Sequence, residues 1–330
     1  MVTINDIAKL SGVSRTTVSR VLNNSGYVSE KAKKRVLEVI KETGYVPSEQ
    51  AKSLRTKKSK VIGVILPKIS TETSSRVVDG IDRELSNHGY HILLANANLD
   101  TDKEIEHFKL LQSRRVDGII LVATNIEDRL IQTIKDVNVP VVALGQDVPG
   151  VSSVLYDDYH AAFDVTSLFI KRGHKRIGFI GVDETDRAVG YERKKAYFDA
   201  MEKARLNVDP AWVQKGVFDI ESGEKAMLTM LADSKEAPTA IFAVTDRLAI
   251  GAMQALKKKG IKIPEEMSVM GIGASDLSKY VTPSLSTVDY YNEKAGTETA
   301  KLMIEHIKNI TEMTRKLSMS YGLIIRDSLL

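Results

Sequence analysis

The sequence predicts a multidomain chain in which a small all-α head precedes a large α/β body with two lobes. Three observations carry this prediction. Three closely spaced helical patterns fill residues 3–43, and apolar strand runs then alternate with amphipathic helices in two successive series. Basic charge is also concentrated at the start: residues 1–60 hold 13 Lys and Arg against 5 Asp and Glu, whereas the remaining 270 hold 34 against 38. The head is therefore expected to bind a polyanion, although a solvated basic face would give the same count.

Composition excludes several other classes of protein. The chain of 330 residues has 43% hydrophobic and 27% charged residues, which is typical of soluble globular proteins. It contains no cysteine, so disulfides and thiolate metal sites are excluded. The first 22 residues are amphipathic rather than signal-like, and no apolar run reaches the roughly 18 to 20 residues of a membrane span. We therefore expect a cytoplasmic, nucleoid-associated bacterial protein without a membrane partner.

Each helix of the head has a predicted cap, an apolar face and a stop. Thr3, Ser14 and Ser29 are the predicted N-caps, and glycines follow the first and third helices. The inward positions are Ile7, Ala8 and Leu10 in the first helix, Val18, Val21 and Leu22 in the second, and Ala32, Val36, Val39 and Ile40 in the third. Helix, tight turn and helix in this order predict a helix-turn-helix motif.

The second helix of such a motif lies in the major groove of DNA. Arg15 and Thr16 come first on this helix and point away from its apolar face. An arginine fork can bind guanine, and a threonine can bind a base edge or a thymine methyl group. The other candidate DNA-binding residues of the head are Thr3, Asn5, Thr17, Ser19, Arg20, Asn23 and Tyr27. The alternative is a three-helix core whose second helix is merely solvated.

The run TINDIAKLSGVSRTTVSRVLNNSGYVSEKAKKRVLEVIKETGYVPSEQAKSLRTKKSKVIGVI resembles the lactose-repressor family of bacterial regulators. The resemblance implies a helix-turn-helix domain over 1–47, a hinge over 48–60 and an effector-binding, dimerising domain over 61–330. It also implies a homodimer on palindromic double-stranded operator DNA. Because the chain stops at Leu330, soon after the last predicted strand, a dimer is expected rather than a tetramer.

The hinge contains two further candidate DNA-binding residues, Ala51 and Leu54, on one face of a short helical pattern. About ten residues cannot hold a stable helix in water unaided. The resemblance implies that this hinge folds only on operator DNA, where two copies pair in the minor groove and Leu54 wedges into the central base step. A plain basic linker is the alternative.

The body contains two series of strand runs, at 61–66, 90–95, 117–123 and 140–144, and then at 176–181, 212–217, 240–244 and 267–272. Their alternation with helices predicts parallel sheets covered on both faces, one in each lobe. The resemblance implies a periplasmic-binding-protein-like core with crossovers near Tyr159, Val288 and Ser318. The N-lobe would then comprise 61–159 and 290–318, and the C-lobe 160–288 and 319–330.

Ligands of open α/β sheets bind beyond the carboxyl ends of the strands. The candidate effector-binding residues are Ser70, Thr73, Ser74, Gln146, Arg193, Phe218, Asp246 and Tyr291. The resemblance places a sugar-hydroxyl-binding arginine at Arg193 and a sugar-stacking aromatic at Phe218. Each candidate has a simpler interpretation: a surface charge for Arg193, packing for Phe218, a helix N-cap for Asp246 and loop polarity for the serines and Thr73.

One position departs from the family pattern. Many relatives have a hydroxyl-binding aspartate after the strand at 267–272, whereas this chain continues with Gly271-Ile272-Gly273-Ala274-Ser275. The expected carboxylate is missing there. This glycine-rich loop, together with GQD at 145–147, IGV at 180–182 and GYERKK at 190–195, resembles the sucrose-operon repressor branch.

The sequence favours a regulator whose effector is a small sugar or sugar phosphate, and it predicts no cofactor, metal ligand or catalytic residue. It lacks the Walker, GxSxG and HExxH motifs, and Asp157, Asp158 and His160 are interpreted as a cap and a turn. A solute-binding protein is one alternative, but it would have no use for a basic head. A regulator that takes a phosphorylated protein as corepressor is another.

Overall fold

The computed structural model describes residues 2–45, 58–309 and 313–330. Its contacts divide the chain into two compact units, with the division in sequence between Ser59 and Lys60. The hinge residues Ala51 and Leu54 lie outside the described residues. Among the residues that are described, no helix is long and apolar enough to cross a membrane.

The head contains three helices, and the predicted caps are confirmed. They are α1 (Ile4–Ser11), α2 (Arg15–Leu22) and α3 (Glu30–Thr43). The side chains of Thr3, Ser14 and Ser29 each accept a backbone N–H of the helix that follows. Gly12 and Gly44 end α1 and α3 in the left-handed conformation, at φ of 64° and 63°, which favours glycine.

Ile7, Val18 and Val36 form the centre of the head and are fully buried. The prediction that Leu10 faces this core is wrong, because 62% of its surface is exposed. Helical geometry explains the error: Ser11 lies only about 40° around the helix from Ile7, whereas Leu10 lies about 60° away on the other side. Ser11 is buried instead, and its hydroxyl donates to the Ile7 carbonyl at 2.6 Å.

The body contains twelve strands within the described residues. They are β1 (Val61–Leu66), β2 (His91–Asn96), β3 (Gly118–Val122), β4 (Val141–Gly145), β5 (Ser152–Tyr156), β6 (Ile177–Gly181), β7 (Val213–Lys215), β8 (Ala240–Ala243), β9 (Ser268–Met270), β10 (Thr287–Asp289), β11 (Lys316–Met319) and β12 (Gly322–Ile324). Every strand run predicted from the sequence overlaps one of them. The sequence did not predict β5, β10, β11 and β12.

The strands form two parallel sheets and one antiparallel pair. The N-lobe sheet has the order β11-β5-β4-β3-β1-β2, and the C-lobe sheet has the order β7-β6-β8-β9. β10 pairs with β12 in antiparallel fashion. The chain therefore passes between the lobes three times, after β5, after β10 and after β11.

Nine helices within the described residues cover these sheets. They are α4 (Glu72–Asn87), α5 (Thr101–Ser113), α6 (Asp128–Asp136), α7 (Asp158–Lys171), α8 (Arg193–Lys203), α9 (Ile220–Asp233), α10 (Asp246–Lys258), α11 (Leu277–Tyr280) and α12 (Asn292–Ile307). A π-helical turn at Arg187–Glu192 leads directly into α8. The predicted periplasmic-binding-protein-like, two-lobed architecture is confirmed.

Glycines let the helices beside the interlobe cleft cross closely. A Cβ atom at Gly80 of α4 would lie 1.9 Å from the Glu293 carbonyl oxygen of α12. In the C-lobe, a Cβ atom at Gly251 of α10 would lie 2.1 Å from the Ile220 carbonyl oxygen of α9. Larger residues would push each pair of helices apart. These crossings fix the amino ends of the helices, which point towards the cleft.

Candidate ligand cavity and DNA-reading face

The predicted DNA-reading side chains lie mostly on the surface of the head. Arg15 and Thr16, the first two residues of α2, are exposed, while Thr17 and Ser19 are half-buried. Thr3, Asn5, Arg20, Asn23 and Tyr27 are also exposed. Tyr27 has 88% of its surface exposed, which is unusual for an aromatic residue.

Some of these groups are already used inside the head. The hydroxyls of Ser14 and Thr17 lie 2.9 Å apart, and the side-chain amide of Asn23 donates to the Ser19 carbonyl at 2.6 Å. Arg15 and Thr16 make no such side-chain bond within residues 2–45. These two side chains are therefore free to contact a base edge.

The body contains a cavity of about 210 Å³ between its lobes. Residues that follow the carboxyl ends of strands line it from both sides, as expected for an open α/β sheet. Pro67 and Lys68 follow β1, Gln146 follows β4, and Thr245 and Asp246 follow β8. The aromatic rings of Tyr156, Phe218 and Tyr290 add apolar surface.

Six of the eight predicted effector-binding residues line this cavity: Thr73, Ser74, Gln146, Arg193, Phe218 and Asp246. Ser70 and Tyr291 do not line it. The Ser70 carbonyl oxygen accepts a hydrogen bond from Arg247 Nη1 at 3.4 Å. Tyr291 adopts φ 52° where the chain enters α12, so it turns away and its neighbour Tyr290 occupies the cavity wall. Whether the six bind an effector remains a prediction.

Arg193 lies in a buried cluster with Asp158 and Tyr290, which we call the paired cluster. Arg193 Nε donates to Asp158 Oδ1 at 2.7 Å, and the Tyr290 hydroxyl donates to the same oxygen at 3.1 Å. Arg193 also donates to the Val244 carbonyl. Because about 5% of each charged residue is exposed, the ion pair is shielded from water. Burial raises the pKa of the Tyr290 hydroxyl well above its usual value.

Asp246 is held by the glycine-rich loop at 271–275 and by Thr287 of β10. Its Oδ2 accepts the Ser275 backbone N–H at 2.7 Å, and its Oδ1 accepts the Thr287 hydroxyl at 2.5 Å. A Cβ atom at Gly271 would lie 2.6 Å from Oδ1, so glycine is what allows the loop to approach so closely. Burial raises the pKa of this carboxyl, and the hydrogen bonds oppose that effect. Asp246 therefore supports the loop as well as facing the cavity.

Direct hydrogen bonds join the two lobes around the cavity. Gln146 Nε2 of the N-lobe donates to Asp186 Oδ1 of the C-lobe at 3.0 Å. Arg76 Nη1 of α4 donates to the carbonyl oxygens of Gly273 and Ala274 at 3.2 Å and 3.0 Å. Burial raises the pKa of Asp186 to about 6. The cleft is thus closed by polar contacts between the lobes.

Three further cavity residues carry donors that lack an acceptor; we call Lys68, Arg247 and Asn292 the unpaired donors. Arg247 Nε and Asn292 Nδ2 are buried, with no hydrogen-bond partner among the described residues. Asn292 has 1% of its surface exposed, and its Oδ1 accepts the Tyr156 hydroxyl at 2.8 Å. Neither Lys68 nor Arg247 forms an ion pair with a carboxylate in the described part of the chain.

Sequence reasoning missed these residues and Asp186. It also interpreted Asp158 as part of a cap and a turn, whereas Asp158 is buried and paired with Arg193. One local signal was available. A cation in the first turn of a helix is unfavourable because it meets the positive end of the helix dipole. Arg247 is the second residue of α10, so its position suggests a role outside the helix itself.

Two family models match the chain. Residues 3–48 match "Bacterial regulatory proteins, lacI family", and residues 166–329 match "Periplasmic binding protein-like domain". A curated relative, the probable HTH-type transcriptional repressor ExuR of Bacillus subtilis (strain 168), is 33% identical over 99% of this chain and 98% of its own length.

Two solved structures extend the comparison. A complex of the transcriptional regulator CelR with cellobiose is 28% identical, with a TM-score of 0.76 over 99% of this chain and 100% of the other. The lac repressor dimer bound to operator and the anti-inducer ONPF has a TM-score of 0.90 over 100% of this chain and 99% of the other, at 22% identity, and so supports the fold. With the caps of α1, α2 and α3, the two-lobed body and these matches in hand, we conclude that the chain belongs to the lacI family of bacterial regulatory proteins.

Proposed function

We propose that this protein is a transcriptional repressor that binds a palindromic operator as a homodimer. Its affinity for the operator rises or falls when a small sugar-like effector binds in the interlobe cavity. The exposure of Arg15 and Thr16 at the start of α2 carries the DNA-binding half of the proposal. The relatives support it, since they are named as transcriptional repressors. The proposal assigns no catalytic step to the chain and places it with the nucleoid in the cytoplasm.

The cavity supports the effector half. Aromatic surface from Tyr156, Phe218 and Tyr290 alternates with polar groups, a combination that suits the apolar faces and hydroxyls of a sugar. Because a ligand between the lobes touches both, it can bias their relative position and thereby operator affinity. Such coupling is typically about 1 to 3 kcal/mol, and it is reciprocal. The CelR complex with cellobiose favours the sugar class.

The test of DNA reading begins with selection of preferred duplexes from a random library by the full-length protein. We expect a palindromic consensus. Arg15→Ala should then relax specificity at one base pair of each half-site by about 1 to 3 kcal/mol, because a bidentate contact to one base is lost. Fluorescence anisotropy titrations against single-base variants of the consensus measure this effect.

Lys34→Ala is the matched control, because it removes one exposed cation from α3 of the same head. It should leave the preference at every base position unchanged. A uniform loss of affinity in Arg15→Ala would assign Arg15 to a phosphate instead. Equal binding of the consensus and a scrambled duplex by the unmodified protein, at low salt, would overturn the proposed function.

A further inference from the structure

The unpaired donors indicate the chemical class of the effector, which the proposed function does not specify. Every carboxylate that lines the cavity accepts at least one hydrogen bond from the protein. Asp158 is bonded to Arg193, Asp186 to Gln146, Asp246 to Thr287, and Glu72 accepts the Asp276 backbone N–H at 2.7 Å. The carboxylates that line the cavity are therefore hydrogen-bonded within the protein, whereas some of the donors that line it have no acceptor among the described residues.

The donors around Arg247 differ. Its Nη1 makes one long bond of 3.4 Å to the Ser70 carbonyl oxygen, and its buried Nε has no partner among the described residues. An unpaired donor on a charged group destabilises the folded state when it is buried away from water, so folding alone does not favour this arrangement. A ligand acceptor would remove the penalty.

Lys68 and Arg247 act on the same part of the cavity. Hydrogen bonding from the Ser222 backbone N–H lowers the pKa of Asp219, and the charges of Lys68 and Arg247 lower it further. Arg247 Nη1 also donates to the carbonyl oxygen of Ser70, two residues after Lys68, so the two cations lie on the same part of the cavity wall. Arg247 also lies at the amino end of α10, a helix of 13 residues whose dipole adds positive potential.

Asn292 supplies an independent observation. It is 1% exposed, it lines the cavity, and its Nδ2 has no acceptor among the described residues. A buried amide of this kind is normally paired with protein or ligand. Donors are thus in excess at two places on the cavity wall, and a ligand rich in acceptors would satisfy both.

We propose that the effector is a monosaccharide-sized molecule bearing an anionic oxygen group, either a carboxylate or a phosphate, which binds to Arg247 and Lys68. A guanidinium fork matches both groups in geometry, and the lysine adds a second charge. The sugar hydroxyls would face Asn292 and the paired cluster. This inference rests on the proposed function and deepens it by naming the chemistry of the ligand.

The experiment compares neutral and anionic sugars with the same ring. The full-length protein is titrated by calorimetry with glucose, glucuronate and glucose 6-phosphate, and then with the galactose and fructose counterparts. In at least one series we expect the anionic member to bind about 10- to 100-fold more tightly than the neutral sugar, as for a charge-assisted hydrogen bond. The uronates and the phosphates form separate arms, so a preference identifies which group is recognised.

Variants then locate the anion site. Arg247→Gln and Lys68→Gln should each remove most of the anion preference, while binding of the neutral sugar changes little. Lys257→Gln is the matched control, since it removes an exposed cation from the opposite end of α10. It should retain the full preference.

Two results would overturn the inference. One is that no anionic sugar in any series binds more tightly than its neutral counterpart. The other is an anion preference that survives in both Arg247→Gln and Lys68→Gln. Because operator selection does not depend on these sugars, a palindromic consensus obtained alongside either result would leave the proposed function standing.

Discussion

Arg193 and Arg247 both line the cavity, yet the protein surrounds the two guanidinium groups differently. Arg193 has a carboxylate, a carbonyl and a tyrosine around it, and its charge is balanced during folding. Arg247 has one long bond to a carbonyl and a buried Nε without an acceptor. The paired cluster is therefore satisfied within the protein, whereas the unpaired donors keep hydrogen-bonding capacity that the described residues do not use. Both arginines line the cavity, so their position does not distinguish the two roles. The hydrogen-bonding and ion-pair partners of each arginine do.

The largest expected effect comes from breaking the paired cluster. Arg193→Met leaves Asp158 buried without its cation, and the free energy of unfolding should fall by about 3 to 5 kcal/mol. Urea unfolding of the full-length protein at pH 7 measures the change. Arg129→Met is the control, because Arg129 pairs with Asp102 and Glu127 at the surface, with 53% of its side chain exposed. That variant should lose about 1 kcal/mol or less. Similar losses in both would mean that burial does not distinguish the two arginines.

A second buried acid sharpens the comparison, because no cation pairs with it among the described residues. Glu104 is 1% exposed, Asn125 Nδ2 donates to its Oε2 at 2.7 Å, and Oε1 is unpartnered among the described residues. Burial raises the pKa of this carboxyl to about 7, from 4.5. The folded protein thus holds this proton more tightly than the unfolded chain does, so the stability that protonation provides is lost as pH rises from about 4.5 to 7.

Glu104→Gln should therefore raise the free energy of unfolding at pH 8, by up to about 3 kcal/mol, and leave it nearly unchanged at pH 4. Thermal and urea unfolding across this range measure the effect. Glu106→Gln, an exposed site on the same helix, should show no such pH dependence. Equal shifts in Glu104→Gln at pH 4 and pH 8 would contradict the assignment.

A region can be predicted from the sequence when the contacts that determine its structure join residues close together in the chain. The caps of the head involve residues three apart, so Thr3, Ser14 and Ser29 could be recognised directly. Leu10 was misplaced because its burial depends on which side of α1 the third helix covers. In the body, apolar strand runs predicted the sheets, while polar residues or glycine interrupt the apolar pattern of β5, β10, β11 and β12.

The cavity shows the same limit. Thr73, Gln146 and Asp246 could be predicted because each follows a strand, and strand ends meet in an open sheet. The bond between Gln146 and Asp186 joins the two lobes, and nothing in either local pattern predicts it. Whether Arg247 Nε has an acceptor depends on all the residues that pack around it in three dimensions, not on its neighbours in the sequence. Such a feature can be seen only once the fold is known.

A smaller effect is expected where a neutral donor supports a carboxylate. Thr287 is fully buried, and its hydroxyl donates to Asp246 while accepting the Ala274 backbone N–H at 3.1 Å. Thr287→Val keeps the shape but removes both bonds, and it should cost about 1 to 3 kcal/mol of unfolding free energy. Thr133→Val, whose hydroxyl only bonds back to Arg129 in α6, should change stability by about 0.5 kcal/mol or less. A change in Thr287→Val as small as that in Thr133→Val would show that the two Thr287 hydrogen bonds contribute little to stability.

The smallest effect is expected at the unpaired donors, which makes them the sharpest contrast with the paired cluster. Lys68 is half-buried and forms no ion pair within the described ranges, so Lys68→Gln removes a charge without stranding an opposite one. The free energy of unfolding should change by about 0.5 kcal/mol or less in urea titrations at pH 7. A loss of the size expected for Arg193→Met would show that Lys68 is balanced by a carboxylate during folding. If Lys68 binds the ligand and does not support the fold, its substitution must leave the free energy of unfolding nearly unchanged and must alter sugar binding.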